Sequence, residues 1–124
     1  MFYAILAYHV EGTITRLTPE EDAALMEHLI KINQRLESEG KLGPVARLDF
    51  TQSAVTVRGD AGTPVIDGPF AETKEQLLGL YIVNCASRDE AVAIAQEFKT
   101  VNKSATYEIR PVSYFAPGVA LPAK

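Results

Sequence analysis

The stretch that decides the fold runs from Leu78 to Ala86 and reads LGLYIVNCA. Tyrosine, isoleucine and valine in its middle have high strand propensity, so the stretch is predicted to form a β-strand. Side chains alternate between the two faces of a strand, and both faces here are mostly apolar: Leu78, Leu80 and Ile82 on one, and Gly79, Tyr81, Val83 and Cys85 on the other. Both faces of this strand are therefore predicted to be covered.

Two helices are predicted, one on each side of this strand along the chain. Thr18 can cap the first helix, with Pro19 in its first turn and Glu21 closing a capping box, and Glu39–Gly40 is predicted to end it. At 100° per residue, four apolar residues of this helix fall within about 60° of each other and form one stripe: Leu25, Leu29, Ile32 and Leu36. A second capping box, Ser87–Glu90, opens the other helix.

The remaining strand candidates set the order of elements. They are residues 2–9, 45–50, 54–58, 63–66 and 106–115, with Pro111 interrupting the last. The resulting order resembles the split β-α-β pattern of ferredoxin-like α+β domains, in which one antiparallel sheet carries two helices on one face. Since that pattern leaves the second face of the sheet open, we predict a homodimer that packs sheet against sheet.

Composition indicates one small globular domain. The sequence has 124 residues, 47% hydrophobic and 23% charged, and we predict a domain over residues 1–116 and a C-terminal tail over 117–124. Its 12 Lys and Arg against 16 Asp and Glu give a net charge of −4, which disfavours a nucleic-acid partner. The sequence has a single cysteine, Cys85, which is predicted to be buried and unreactive. No apolar stretch approaches the ~20 residues that a membrane span needs. We therefore predict a cytoplasmic protein without a membrane partner. The apolar N-terminus lacks the basic region of a signal peptide.

The most specific signal is the segment 67–75, DGPFAETKE. Asp–Gly favours a tight turn, and Pro69 stiffens it, so that Phe70 is predicted to act as an anchor. Two acidic side chains and one basic side chain follow: Glu72, Lys74 and Glu75. A rigid turn that presents such groups can form a functional site, and it can equally be a structural turn with a solvated charge run.

This segment, together with Val65 and Ile66 before it, resembles the signature of the DGPF-type branch of the YCII-related family. The resemblance extends to the Gly79–Tyr81 strand, the Ser87–Ala91 helix start and Glu108–Val112. It implies a dimeric α+β barrel with the ferredoxin-like pattern, and a bacterial cytoplasmic protein that is often encoded beside an extracytoplasmic-function sigma factor. Activity across the family is poorly defined. The resemblance further implies a small-molecule enzyme that uses a His–Asp pair near the dimer cleft.

The first functional hypothesis is acid–base catalysis on a small oxygenated or anionic molecule, of the isomerase, lyase or elimination type. His28 lies about 60° from the apolar stripe of the first helix, where it is either a general acid or base or a boundary histidine with a structural hydrogen bond. Asp67 could orient it or act as the base itself. Lys74 would stabilise developing negative charge, with Glu72 beside it.

Four residues are predicted to contact the substrate: Phe70, Thr73, Arg47 and Tyr81. Arg47 would favour an anionic substrate because a guanidinium binds a carboxylate through two hydrogen bonds. Tyr81 is either a packing residue or a proton donor. His9 is expected to be a solvated loop residue, with membership of a site at the end of the first strand as the alternative. Its spacing from the other candidate ligands matches no metal motif.

No cofactor is predicted, because the sequence lacks a phosphate-binding glycine loop, a dinucleotide fingerprint, a Cys–x–x–Cys pair and a nucleophile elbow. The second functional hypothesis is a non-catalytic ligand-binding or regulatory accessory protein linked to an extracytoplasmic-function sigma factor. In that case the rigid turn would shape an interface, and Phe70 would matter more than Lys74.

Overall fold

Six strands and two helices make up the part of the chain that the computed structural model describes, residues 1–59 and 65–123. In chain order they are β1 (Phe2–Val10), α1 (Pro19–Ser38), β2 (Leu42–Arg47), β3 (Val55–Val57), β4 (Val65–Asp67), β5 (Glu75–Asn84), α2 (Arg88–Val101) and β6 (Thr106–Pro111). A single 3₁₀ turn, Thr51–Ser53, precedes β3. The predicted strand 63–66 begins at positions outside the described residues, and its described part belongs to β4.

Four of the strands form one antiparallel sheet in the order β2-β5-β1-β6. This is the ferredoxin-like order, and the α+β fold predicted from the sequence is confirmed. The remaining two strands, β3 and β4, pair with each other as a separate hairpin. The predicted central strand is β5, which lies between β2 and β1 and starts at Glu75, three residues before Leu78.

The core lies between the helices and one face of this sheet. Tyr3 and Ile5 of β1 and Tyr81 and Val83 of β5 pack against the apolar stripe of α1 and the buried side of α2. Phe98 of α2 is fully buried among them. Because alternate residues of each strand point to opposite faces, the residues between these core positions lie on the other face, which no helix of the described chain covers.

The residues that the sequence predicts cap both helices, with both bonds of the capping box at α1 and, among the described residues, only the Ser87 bond at α2. The Glu21 backbone N–H donates to Thr18 Oγ1 at 3.1 Å, and the Thr18 N–H donates back to Glu21 Oε1 at 3.0 Å. Ser87 Oγ accepts from the Glu90 N–H at 3.2 Å. Gly40 follows α1 with a φ of +73°, a conformation that glycine adopts without steric cost.

Two strands have other bounds than the sequence pattern predicts. β2 starts three residues early because Leu42 and Val45 both pair with β5 across a register shift, which accommodates Gly43–Pro44 inside the strand. β6 ends at Pro111 rather than at residue 115. Phe115 instead packs against Phe2, with the ring centroids 5.2 Å apart.

Cys85 is buried, as predicted, and burial raises the pKa of its thiol, with the charge of Glu90 adding to the shift. The thiol is therefore protonated and a poor nucleophile at neutral pH. Among the described residues, neither helix is long and apolar enough to cross a membrane.

Candidate active site

A cavity of about 460 Å³ lies between α1 and the helix-facing side of the sheet. Its floor exists because Ala7 and Gly79 are neighbours across β1 and β5, and Gly79 in turn pairs with Arg47 of β2. Small residues at adjacent positions leave room that larger side chains would fill. A Cβ added at Gly79 would meet the Ala46 carbonyl oxygen at 3.3 Å and Ala7 Cβ at 3.9 Å. The volume of the cavity is in the range of small-molecule binding sites.

His9 is a titratable group buried in the wall of this cavity, with only 5% of its surface exposed. Burial lowers its pKa, and the positive charges of Arg47 and Lys99 lower it further. Its Nδ1 lies 3.4 Å from Ser104 Oγ. The expectation of a solvated loop histidine is wrong, because β1 continues past residue 9 and its alternation places His9 on the same face as Ile5 and Ala7.

Arg47 stands at the rim of the cavity, as one of the predicted substrate contacts. Its two terminal nitrogens donate to the carboxylate of Asp22 in the first turn of α1, at 2.8 Å and 3.3 Å. About 40% of each side chain is exposed, at 42% and 37%. Such an exposed pair contributes little to stability and leaves three of the five guanidinium N–H groups for other partners.

Tyr81 also lines the cavity, where a predicted substrate contact would have to lie. Its ring stacks on Phe98 with centroids 4.3 Å apart. Burial raises the pKa of its hydroxyl far above the ordinary range, and Tyr107 adds to the shift. The hydroxyl therefore stays protonated and able to donate a hydrogen bond.

Two amides complete the polar lining, and neither was singled out from the sequence. Asn33 of α1 lies four residues beyond Leu29, and its buried Oδ1 has no hydrogen-bond partner among the described residues. Asn102, just after α2, donates from Nδ2 to the Tyr107 hydroxyl at 3.1 Å. The i+4 spacing from Leu25 through Leu29 to Asn33 could have placed Asn33 beside the core, but nothing local marks it as functional.

The proposed catalytic residues of the sequence motif lie elsewhere. His28, Asp67, Glu72 and Lys74 are all exposed, and none of the four lines the cavity. Phe70 is 73% exposed within this chain. The Thr73 hydroxyl donates to the Glu75 carbonyl at 2.6 Å. The structure therefore brings Arg47 and Tyr81 together and leaves the other six predicted site residues outside the cavity.

The segment 67–75 has a structural role, because its backbone makes several hydrogen bonds. Gly68 has a φ of +93°, which favours glycine, and its N–H donates to the Ala54 carbonyl at 2.6 Å. The Thr56 hydroxyl donates to the Gly68 carbonyl at 2.9 Å. The Lys74 carbonyl accepts from the Glu11 N–H at 3.0 Å and so extends the pairing of β1 with β5. One end of the motif therefore hydrogen-bonds within the hairpin region, and its other end extends the main sheet.

Within residues 1–59 and 65–123, no three side chains of the His, Cys, Asp and Glu types come together as a metal site would require. His9 contacts Ser104 rather than a carboxylate.

A four-stranded antiparallel sheet with both helices on one face and a cavity beneath α1 defines the class, a ferredoxin-like α+β domain. The YCII-related domain matches residues 1–116, and the chain belongs to that family. An uncharacterised protein of Rhizobium meliloti (strain 1021) is 48% identical over 120 residues, which cover 95% of this chain and 97% of that relative.

Proposed function

We propose that the protein is an enzyme that moves protons on a small oxygenated or anionic molecule, by isomerisation, lyase or elimination chemistry, without a cofactor. The observation that carries this proposal is His9, a histidine buried in the cavity wall with a lowered pKa. Its imidazole is neutral at pH 7, and a general base must be in that form.

The neighbours of His9 support a role as base. With its proton on Nδ1, the ring donates to Ser104 Oγ across the 3.4 Å contact, and Nε2 keeps the lone pair that takes a proton from the substrate. Arg47 supplies positive charge at the same cavity, where a deprotonated substrate becomes negative. The protonated hydroxyl of Tyr81 can donate to a substrate oxygen.

A metabolite screen with turnover detected by mass spectrometry tests the proposal, and the two histidines of the chain provide matched variants. For a substrate so identified, His9→Gln is expected to lower kcat about 100-fold or more, the usual contribution of a general base. His28→Gln removes the same group from an exposed position of α1 and is expected to leave turnover unchanged. Loss with His28→Gln and not with His9→Gln would support the assignment made from the sequence instead.

A non-catalytic ligand-binding or regulatory role, linked to an extracytoplasmic-function sigma factor, is the second candidate. Two observations favour it: Arg47 is already paired with Asp22, and the side chains of Asp67 and Lys74 are exposed. The same screen separates the two candidates, because compounds that bind and are never altered would support this role.

As a further part of the proposal, we assign the chain to the DGPF-type branch of the family, and with it a cytoplasmic location; the support for the branch is the segment 67–75. We also infer a homodimer that closes an α+β barrel. Its support is the open face of the sheet, where Ala4 and Leu6 of β1 adjoin Leu80 and Ile82 of β5. These side chains form an apolar surface without a helix above it, and such surfaces mark association sites.

Replacing Leu80 by Glu is expected to convert the dimer into a monomer, because it places a charge in the middle of this apolar surface. Sedimentation of the wild-type and variant proteins at micromolar concentration measures the change. Ile30→Glu makes the same kind of substitution at an exposed position of α1 and should leave the dimer intact. A monomeric wild-type protein under these conditions would contradict the inference.

A further inference from the structure

The cavity is elongated along α1. Its lining on that helix begins at Asp22 in the first turn and ends at Asn33. Eleven residues at a rise of about 1.5 Å each separate these positions by about 16 Å. A ligand that uses the whole cavity is therefore longer than it is wide.

The two ends of this helix segment differ from its middle. The first end holds the Arg47 guanidinium, paired with Asp22, and the last end holds the Asn33 amide. Between them, α1 presents only apolar side chains to the cavity: Leu25, Met26 and Leu29. The α1 side of the lining thus has a charged end, an apolar middle and a neutral polar end.

The charged end can accept a carboxylate although Arg47 already has a partner. Asp22 occupies two of the five guanidinium N–H groups, and its exposure makes the pair weak enough for a ligand to share or replace. Asp49 also lines the cavity and opposes an anion, but its Oδ1 accepts the Phe50 N–H at 2.9 Å.

The neutral end has an acceptor without a donor. Asn33 Oδ1 is buried, and no described residue hydrogen-bonds to it. Buried polar atoms nearly always have a partner, in the protein or in an ordered water, so this exception in a cavity wall offers an acceptor to a molecule that binds there. The partner must donate a hydrogen bond, as a hydroxyl or an amino group does.

We propose that the cavity takes an elongated organic acid, with its carboxylate at Arg47, an apolar body along Leu25–Leu29, and a hydroxyl or amino group that donates to Asn33 Oδ1. This inference rests on the cavity being the site of the proposed function, and it makes Asn33 the residue that determines specificity. A site built around a buried acceptor rejects an analogue that lacks the donor, since the acceptor is then left unpaired.

Pairs of probes that differ only in the donor test this proposal. Suitable probes are straight-chain carboxylic acids of about six to twelve carbons and their ω-hydroxy counterparts, the longest of which approach the length of the lining. Calorimetry on the full chain is expected to show that, at the best chain length, the ω-hydroxy acid binds at least about tenfold tighter than its parent. In Asn33→Leu the preference should fall to near one, because the acceptor is gone.

Gln34→Leu is the matched control, since it makes a similar substitution at the next, exposed residue of α1 and should keep the preference. Equal affinity of the paired acids for the wild-type protein would overturn the proposal, as would a preference that survives Asn33→Leu. The first of these needs no variant, so the proposal stays testable if Asn33→Leu fails to fold.

The outcomes also separate this inference from the proposed function. If no acid binds while the metabolite screen still finds turnover that His9→Gln abolishes, this inference fails and the proposed function stands. If the hydroxyl preference and its dependence on Asn33 are observed but no bound compound is ever altered, the ligand class stands and the catalytic role fails.

Discussion

Replacing Phe98 by Ala is expected to lower the free energy of unfolding by about 3–5 kcal/mol. The ring is 0% exposed and lies at the centre of the core. It stacks on Tyr81 at 4.3 Å and lies 6.0 Å from Tyr107, and such aromatic pairs add to the effect of burial alone. Because small domains are stable by only about 5–15 kcal/mol, this one substitution removes a large part of the total.

Urea unfolding followed by circular dichroism measures this loss, and Phe70→Ala is the matched control. Phe70 is 73% exposed, so its truncation should change the free energy of unfolding by no more than about 0.5 kcal/mol. A cost below about 1 kcal/mol at Phe98 would contradict the packing described above. A cost at Phe70 as large as that at Phe98 would mean that Phe70 is covered in the assembled protein.

Replacing Arg47 by Met is expected to weaken the binding of an anionic ligand about 10- to 100-fold, because it removes charged hydrogen bonds while keeping an unbranched apolar stem at this position. It should also raise the pKa of His9, since the positive charge of Arg47 is one of the causes that lower it. Burial, the larger cause, remains, so the pKa should stay below its ordinary value. The base form is lost as pH falls through the His9 pKa, and the acidic limb of kcat/KM should therefore move to higher pH.

Nuclear magnetic resonance titration of the His9 ring checks the pKa directly, without a substrate. Asp22→Asn is the informative partner variant, because it leaves the Arg47 charge without its counter-ion. It should lower the His9 pKa further and strengthen anion binding a few-fold. An unchanged His9 pKa in Arg47→Met would show that the guanidinium does not act on this imidazole, and would remove the electrostatic part of the proposed mechanism.

The fold was predictable where local chemistry is sufficient. Thr18 and Glu21 cap α1 through their own neighbours in sequence, and the apolar alternation of Leu78–Val83 needs no distant partner to be recognised. The bounds of β2 were not predictable in this way. They depend on the register shift between Leu42 and Val45 against β5, while Gly43 and Pro44 by themselves suggest a turn.

The candidate site was predictable only in part, because its residues come together through long-range pairing. Arg47 and Tyr81 were identified as possible substrate contacts, and both line the cavity. For His9 the sequence left two alternatives open, a solvated loop residue and a member of a site at the end of β1, because His9 joins the cavity only through the pairing of β1 with β5, which is not encoded near residue 9. The charged motif led to the prediction that Lys74 is a catalytic residue. In the structure its backbone carbonyl accepts a hydrogen bond beside the sheet, and its side chain is exposed.

The position of β1 in the sheet has a consequence for synthesis of the chain. β1 lies between β5 and β6, yet it is translated before both, and its partners Glu75–Asn84 and Thr106–Pro111 leave the ribosome much later. In the interval an apolar strand has both of its edges unpaired, and unpaired strand edges pair readily with other chains. The topology that builds the cavity therefore makes the nascent chain, rather than the finished protein, the state most open to aggregation and to chaperone binding.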